Sequence, residues 1–161
     1  MCIRDSNPLV SHLHLASFSD EMGNQQVAAS SRILLGERAN APEEVCAFFD
    51  TEATVAHTHL RRLRLGDGEP YAIDDAWYNS SFAPTLLEND IYNSVYAILD
   101  ETFQVPITDA EQTVTAIGAD EEIAALLDVS AGTPLLHITR FARSGDRPVE
   151  WCSSVYRTDR Y

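Results

Sequence analysis

The hydrophobic positions of this chain change period several times, and each change predicts an element. Residues 29–40 (ASSRILLGERAN) carry an apolar centre at Ile33 to Leu35 and read as a strand. In residues 41–49 (APEEVCAFF), Pro42 at a first helical position and Glu43 and Glu44 behind it mark a helix N-terminus. Val45, Phe48 and Phe49 fall at helical spacing and form its expected buried face. Residues 54–65 and 69–79 are two extended arms around Gly66-Asp67-Gly68 and predict a hairpin. Val95, Ile98, Leu99 and Phe103 recur at helical spacing within 91–103. Residues 105–119 are β-branched in their second half and read as a strand. Asp120 opens a helix with Ile123, Leu126 and Leu127 on one face. A strand over 135–143, a turn at Ser144-Gly145-Asp146 and a strand over 148–157 complete the pattern. On the last strand Glu150, Cys152, Ser154 and Tyr156 share a face. Earlier in the chain, Ser17-Phe18-Ser19-Asp20 reads as a capped helix start. Hairpins dominate, so the expected fold is α+β, a mainly antiparallel sheet with helices on one face.

The hairpin at 57–78 contains a fork. Arg62 and Arg64, two residues apart, point to the same side of their strand. A two-residue turn at Asp67-Gly68 would set Tyr71 and Ile73 beside them. A three-residue turn over 66–68, with Gly68 in the left-handed position of a bulge, would shift the register by one and bring Asp74 to their face. The three-residue turn is favoured, because a glycine stands at its last position. The functional reading is then two guanidiniums and a carboxylate lining a small anionic-ligand site; the bland one is a solvated face with a surface ion pair.

Charge sharpens the choice. The 161 residues carry a net charge of −14, and every basic residue is an arginine. Such a chain is repelled by phosphate backbones and is a poor nucleic-acid binder by itself. A small anion is held only where arginines and N–H groups locally overcome that field. Three cysteines with no close pair fit a reducing compartment, the cytoplasm, and argue against a disulfide scaffold. No apolar run reaches membrane-spanning length. His12 and His14, and again His57 and His59, have the spacing of a strand-borne chelate. No cysteine or carboxylate cluster accompanies either pair, so neither a metal nor a cofactor is expected. Met1 to Asn7 reads as a non-native start, and residues 1–14 are set apart from one domain over 15–161.

Several segments together resemble a known family: SFSDEM (17–22), APEEV (41–45), LRRLRLGDGEPYAID (60–74), SVYAILDE (94–101), residues 110–140 and RPVEWCSSVYRTDRY (147–161). Their order and spacing resemble the UTRA domain, the effector-sensing half of GntR-type bacterial transcription regulators of the HutC subfamily. The resemblance implies a chorismate-lyase-like fold, a homodimer, and a small-molecule site controlling a winged-helix DNA-binding domain. That domain is expected to be absent here, too few residues preceding Ser17. In members sensing phosphorylated amino sugars, a serine-rich turn and strand arginines bind the phosphate. Position by position this implies Ser17, the backbone of Phe18, Ser19, Arg62 and Arg64. Asp74 stands where a glutamate is usual, and Ser94, Tyr96, Glu150 and Tyr156 match the remaining pocket positions. The alternative to a sensor is a chorismate-lyase-like enzyme on the same fold.

Overall fold

The computed structural model describes residues 9–11 and 29–160. Seven strands form one sheet: β1 (Leu9–Ser11), β2 (Ala29–Asn40), β3 (Ala56–Gly66), β4 (Glu69–Tyr78), β5 (Asp109–Gly118), β6 (Pro134–Ser144) and β7 (Arg147–Arg157). Their order is β1-β5-β6-β7-β4-β3-β2, and every neighbouring pair is antiparallel. Three short helices, α1 (Glu43–Phe49), α2 (Val95–Glu101) and α3 (Glu121–Leu127), and a 3₁₀ turn at Leu86–Glu88 complete the described elements. The α+β antiparallel architecture agrees with the sequence pattern.

The helices do not share one face. α2 and the 3₁₀ turn cover one side of the sheet, where Leu60, Ala76, Tyr78, Leu86, Val95, Leu99 and Val149 are buried together. α1 and α3 cover the other: Val45 and Phe49 pack on Trp77, and Ala124 and Leu127 on Leu63, Ile73, Leu135 and Val155. The reason is visible in the central strands. β4 and β7 alternate apolar residues onto both faces, and each face needs a cover.

The turn of the β3–β4 hairpin corrects one expectation and preserves its consequence. Gly66 pairs with Glu69, so the turn has two residues, Asp67 (φ 50°) and Gly68 (φ 78°). Positive φ at both centres matches the strand twist, which is why an Asp-Gly pair serves. The register nevertheless shifts, because Leu65 opposes Pro70 while Arg64 opposes Ala72. Tyr71 is the extra residue of a bulge beside Pro70, which has no N–H to give the ladder. Asp74 thus pairs with Arg62, on the same face that the three-residue turn would have given it. The β6–β7 hairpin repeats the device: Ser144 pairs with Arg147, Arg143 with Pro148 and Ala142 with Glu150, so Val149 bulges beside Pro148.

Helix boundaries follow local chemistry. Pro42 sits at the N-cap rather than the first helical position. Asp120 accepts a hydrogen bond from the Ile123 N–H (2.8 Å), capping α3. On α1, Val45 and Phe49 are buried as expected, with Cys46 in place of a partly exposed Phe48.

His57 and His59 are committed to separate networks. The His59 ring stacks on Trp77 (4.1 Å between centroids, 4° between planes) and bonds the Asp75 carboxylate. His57 is fully buried. Its Nδ1 accepts from the Ser80 N–H (3.1 Å), so the ring proton sits on Nε2 and goes to Thr51 Oγ1 (2.8 Å). Burial, reinforced by Arg38, lowers its pKa below the ordinary 6.5. The neutral ring is therefore the native one. The unfolded chain takes up a proton near 6.5 that the folded chain refuses, so stability falls as pH drops below that value. Burial raises the Glu150 pKa, which acts with the opposite sign, so the test is a difference. The melting temperature of the unaltered protein should fall more between pH 7.5 and 5.5 than that of His57→Gln. Equal slopes would show that His57 is not the group responsible.

Candidate functional site

β3, β4, β7, β6 and β5 present one continuous face beneath α2. Reading across the paired positions, Arg62 lies beside Asp74 and Asp74 beside Ser154. One step along, Cys152 lies beside Arg140 and Arg140 beside Gln112. Beyond them Tyr78 pairs with Glu150. These side chains surround a cavity of about 60 Å³, roofed by Ser94, Val95 and Tyr96 of the α2 start. Space on that order holds a few waters, so it suits a small polar molecule.

Arg62 and Arg64 are almost completely buried. Their nearest approaches to the Asp74 carboxylate are 3.8 Å and 3.9 Å, beyond hydrogen-bond range. Asp74 instead accepts from Ser154 Oγ at 2.6 Å. Arg62 donates Nη1 to the carbonyls of Ile91 and Asn93, both at 3.3 Å, and its Nε is buried without a partner among the described residues. Burial is the largest influence on Arg64 and lowers its pKa; the neighbouring Arg62 charge adds to this and Asp74 opposes it. Both guanidiniums remain charged, as arginines do in proteins. The cost of holding two like charges out of water falls when a second negative charge arrives between them.

At the other end, Tyr96 OH donates to Glu150 (2.7 Å) and accepts from Arg140 Nη1 (3.0 Å). Arg140 Nη2 donates to Gln112 Oε1 (3.1 Å). Burial, then the Glu150 charge, pushes the phenols of Tyr78 and Tyr96 well up, so both stay protonated donors. Burial likewise raises Glu150, with Arg140 and the two tyrosine hydroxyls opposing. For Arg140 burial works downward but is outweighed by Tyr96 and Glu150, and the net shift is upward. Burial, Asp74 and Glu150 keep the Cys152 thiol protonated. Three arginines against two carboxylates leave a formal +1 around this cavity, inside a chain of net charge −14.

Of the residues singled out from the sequence, Arg62, Arg64, Asp74, Ser94, Tyr96, Glu150 and Tyr156 line this one cavity. Ser94 is also the N-cap of α2, accepting from the Ala97 N–H at 3.4 Å. Ser17, Phe18 and Ser19 lie outside the described residues. Sequence reasoning missed Tyr78, Gln112 and Arg140, and set Ser154 on the right strand face without naming it as a site residue. The signal for Arg140 was present: a proline two residues past each hairpin turn marks the bulge. That bulge moves the partner of Arg140 from Trp151 to Cys152, and so sets Arg140 on the cavity face. Among the described residues no group of three or more His, Cys, Asp or Glu is placed to hold a metal ion, and no helix is long and apolar enough to cross a membrane. Cys46 and Cys152 are buried free thiols.

Comparison with known proteins points the same way as the geometry. The family model for the UTRA domain matches residues 24–161. The HTH-type transcriptional repressor NagR of Bacillus subtilis is 28% identical over 149 residues, covering 91% of this chain and 61% of that protein. The histidine utilization repressor of Pseudomonas putida is 31% identical over 130 residues, 80% of this chain and 51% of that protein. This chain thus spans about half to six-tenths of these relatives. Among solved structures, the ligand-binding domain of a Bordetella bronchiseptica protein described as a GntR-family transcriptional regulator superposes with a TM-score of 0.75 at 28% identity, covering 93% of this chain and 90% of that one. The effector domain of PhnF from Mycobacterium smegmatis shares the fold, with a TM-score of 0.84 at 23% identity, over 92% of this chain and 93% of that one. The chain belongs to the UTRA domain family, the effector-binding domains of GntR-type transcription regulators.

Proposed function

We propose that this chain senses a small anionic metabolite, a sugar phosphate or an organic acid, and relays its presence to a winged-helix DNA-binding domain. One observation carries the reading: Arg62 and Arg64 are buried side by side and line one cavity, while their carboxylate neighbour stands at 3.8 and 3.9 Å. Guanidiniums in this state bind phosphate or carboxylate through charge-assisted, paired hydrogen bonds. Ser94 and Tyr156 line the same space and offer hydroxyls. The Ser17–Ser19 helix start, which lies outside the described residues, is proposed to supply further N–H donors to the anion. Thermal-shift screening against phosphosugars and organic acids tests the reading. A ligand at about a hundred times its dissociation constant adds roughly 2.7 kcal/mol; no shift from any anion would overturn it.

The protein is proposed to be a non-enzymatic cytoplasmic regulator. Its relatives NagR and the histidine utilization repressor are repressors. Incubation with chorismate should release no pyruvate; turnover would sink the sensor reading.

A homodimer is proposed as well. The late strands β6 and β7 lie inside the sheet and offer no edge for pairing. The supporting feature is β2, twelve residues long and at the end of the strand order. Such an edge invites pairing with another strand. Light scattering at micromolar concentration should give twice the chain mass, and a monomer would count against it.

A further inference from the structure

Arg140 has no part in the two-arginine site, and its surroundings set it apart. It is held from two sides, by Tyr96 OH at 3.0 Å and by Gln112 Oε1 at 3.1 Å. These bonds engage two of the five N–H donors of a guanidinium. No described carboxylate lies within ion-pairing distance of it: Glu150 is reached only through the Tyr96 hydroxyl, and Asp74 is taken by Ser154. Arg140 is thus a cation fixed in place with donors to spare, lining the same cavity as Arg62 and Arg64. The register puts Arg62 on β3 and Arg140 on β6, with β4 and β7 between them. Three strand spacings amount to about 14 Å of sheet between the two backbones, and both side chains line the same cavity.

We propose that Arg140, positioned by Gln112 and Tyr96, is a second anion-binding subsite, and that the effector carries acidic groups at two separated ends. A phosphate or carboxylate occupies Arg62 and Arg64, a carboxylate occupies Arg140, and the polar middle of the ligand lies over Asp74 and Ser154. This rests on the sensor reading above and narrows its ligand class to phosphorylated acids and dicarboxylates. Gln112 supports the assignment. A neutral amide acceptor orients the guanidinium, and the compensating charge of Glu150 reaches it only through the Tyr96 hydroxyl, so no described carboxylate takes up its remaining donors.

The test uses matched probes that differ only at the far end: 3-phosphoglycerate against glycerol 3-phosphate, and 6-phosphogluconate against glucose 6-phosphate. Titration calorimetry should show at least one acid bound about tenfold or more tightly than its partner. Arg140→Gln should bring that ratio close to one. Gln112→Glu, which keeps Arg140 and supplies it with an internal carboxylate, should do the same and guards against misfolding of the first variant. Arg64→Ala should weaken both members of a pair and leave their ratio standing. Equal binding of acid and partner by the unaltered protein, or a ratio that survives both Arg140→Gln and Gln112→Glu, overturns the second subsite while the first stands. Failure of all four probes to bind at millimolar concentration overturns the anion-site reading and this inference with it.

Discussion

Arg64→Ala is expected to weaken the binding of any phosphate- or carboxylate-bearing effector by at least about tenfold, and Arg62→Ala likewise. A hydrogen bond to a charged group contributes on the order of 1.5–3 kcal/mol, and about 1.4 kcal/mol corresponds to tenfold. Arg61 is the control. It immediately precedes Arg62 in sequence but points to the opposite face, where it pairs with Glu122 at 3.2 Å near the start of α3. Arg61→Ala should leave binding unaltered. Stability should respond with the opposite sign to binding. Burial and the neighbouring Arg62 charge both penalise the charged form of Arg64 in the empty site. Replacing it by methionine, which fills the same space without charge, should hold or raise the melting temperature while binding is lost. Functional sites commonly show such a trade. If calorimetry found Arg61→Ala damaging and the other two neutral, the strand register would be wrong.

Leu99→Ala should cost about 2–5 kcal/mol, the usual range for emptying a fully buried leucine site. For a chain of this size that is a melting temperature lower by roughly 4–20 °C. Leu99 is 0% exposed and lies on the inner face of α2 among Tyr78, Val95 and Val105. α2 has seven residues, far too few to hold a helix by its own hydrogen bonds. Its position depends on that apolar face, and the roof residues Ser94 and Tyr96 depend on its position. The substitution should therefore weaken effector binding even well below the melting temperature. Asp100→Ala, one residue away and exposed, should change stability by less than about 0.5 kcal/mol. Thermal denaturation followed by circular dichroism decides the matter. An unchanged melting temperature for Leu99→Ala would contradict the packing of α2.

The strand and helix pattern was legible in the amino-acid sequence because it rests on local physics. The period of two in 147–157 set Glu150, Cys152, Ser154 and Tyr156 on one face, and all four line the cavity. Asp120 was readable as a helix start because capping is a matter of a few adjacent atoms. The acidic composition argued against a nucleic-acid surface for this chain by itself and made clustered arginines meaningful. Three things were decided only by the tertiary structure. The β3–β4 turn is one residue shorter than favoured, and the bulge at Tyr71 returned Asp74 to the arginine face; turn and bulge trade against each other, and only the pairing partner shows the sum. The helices divide between both faces of the sheet, because which face each covers depends on how β4 and β7 sit at its centre. Arg140 and Gln112 joined the site through the bulge at Val149, a one-residue shift in a pairing between strands. Periodicity along a single strand says which residues share a side, and only the partner strand says which side that is.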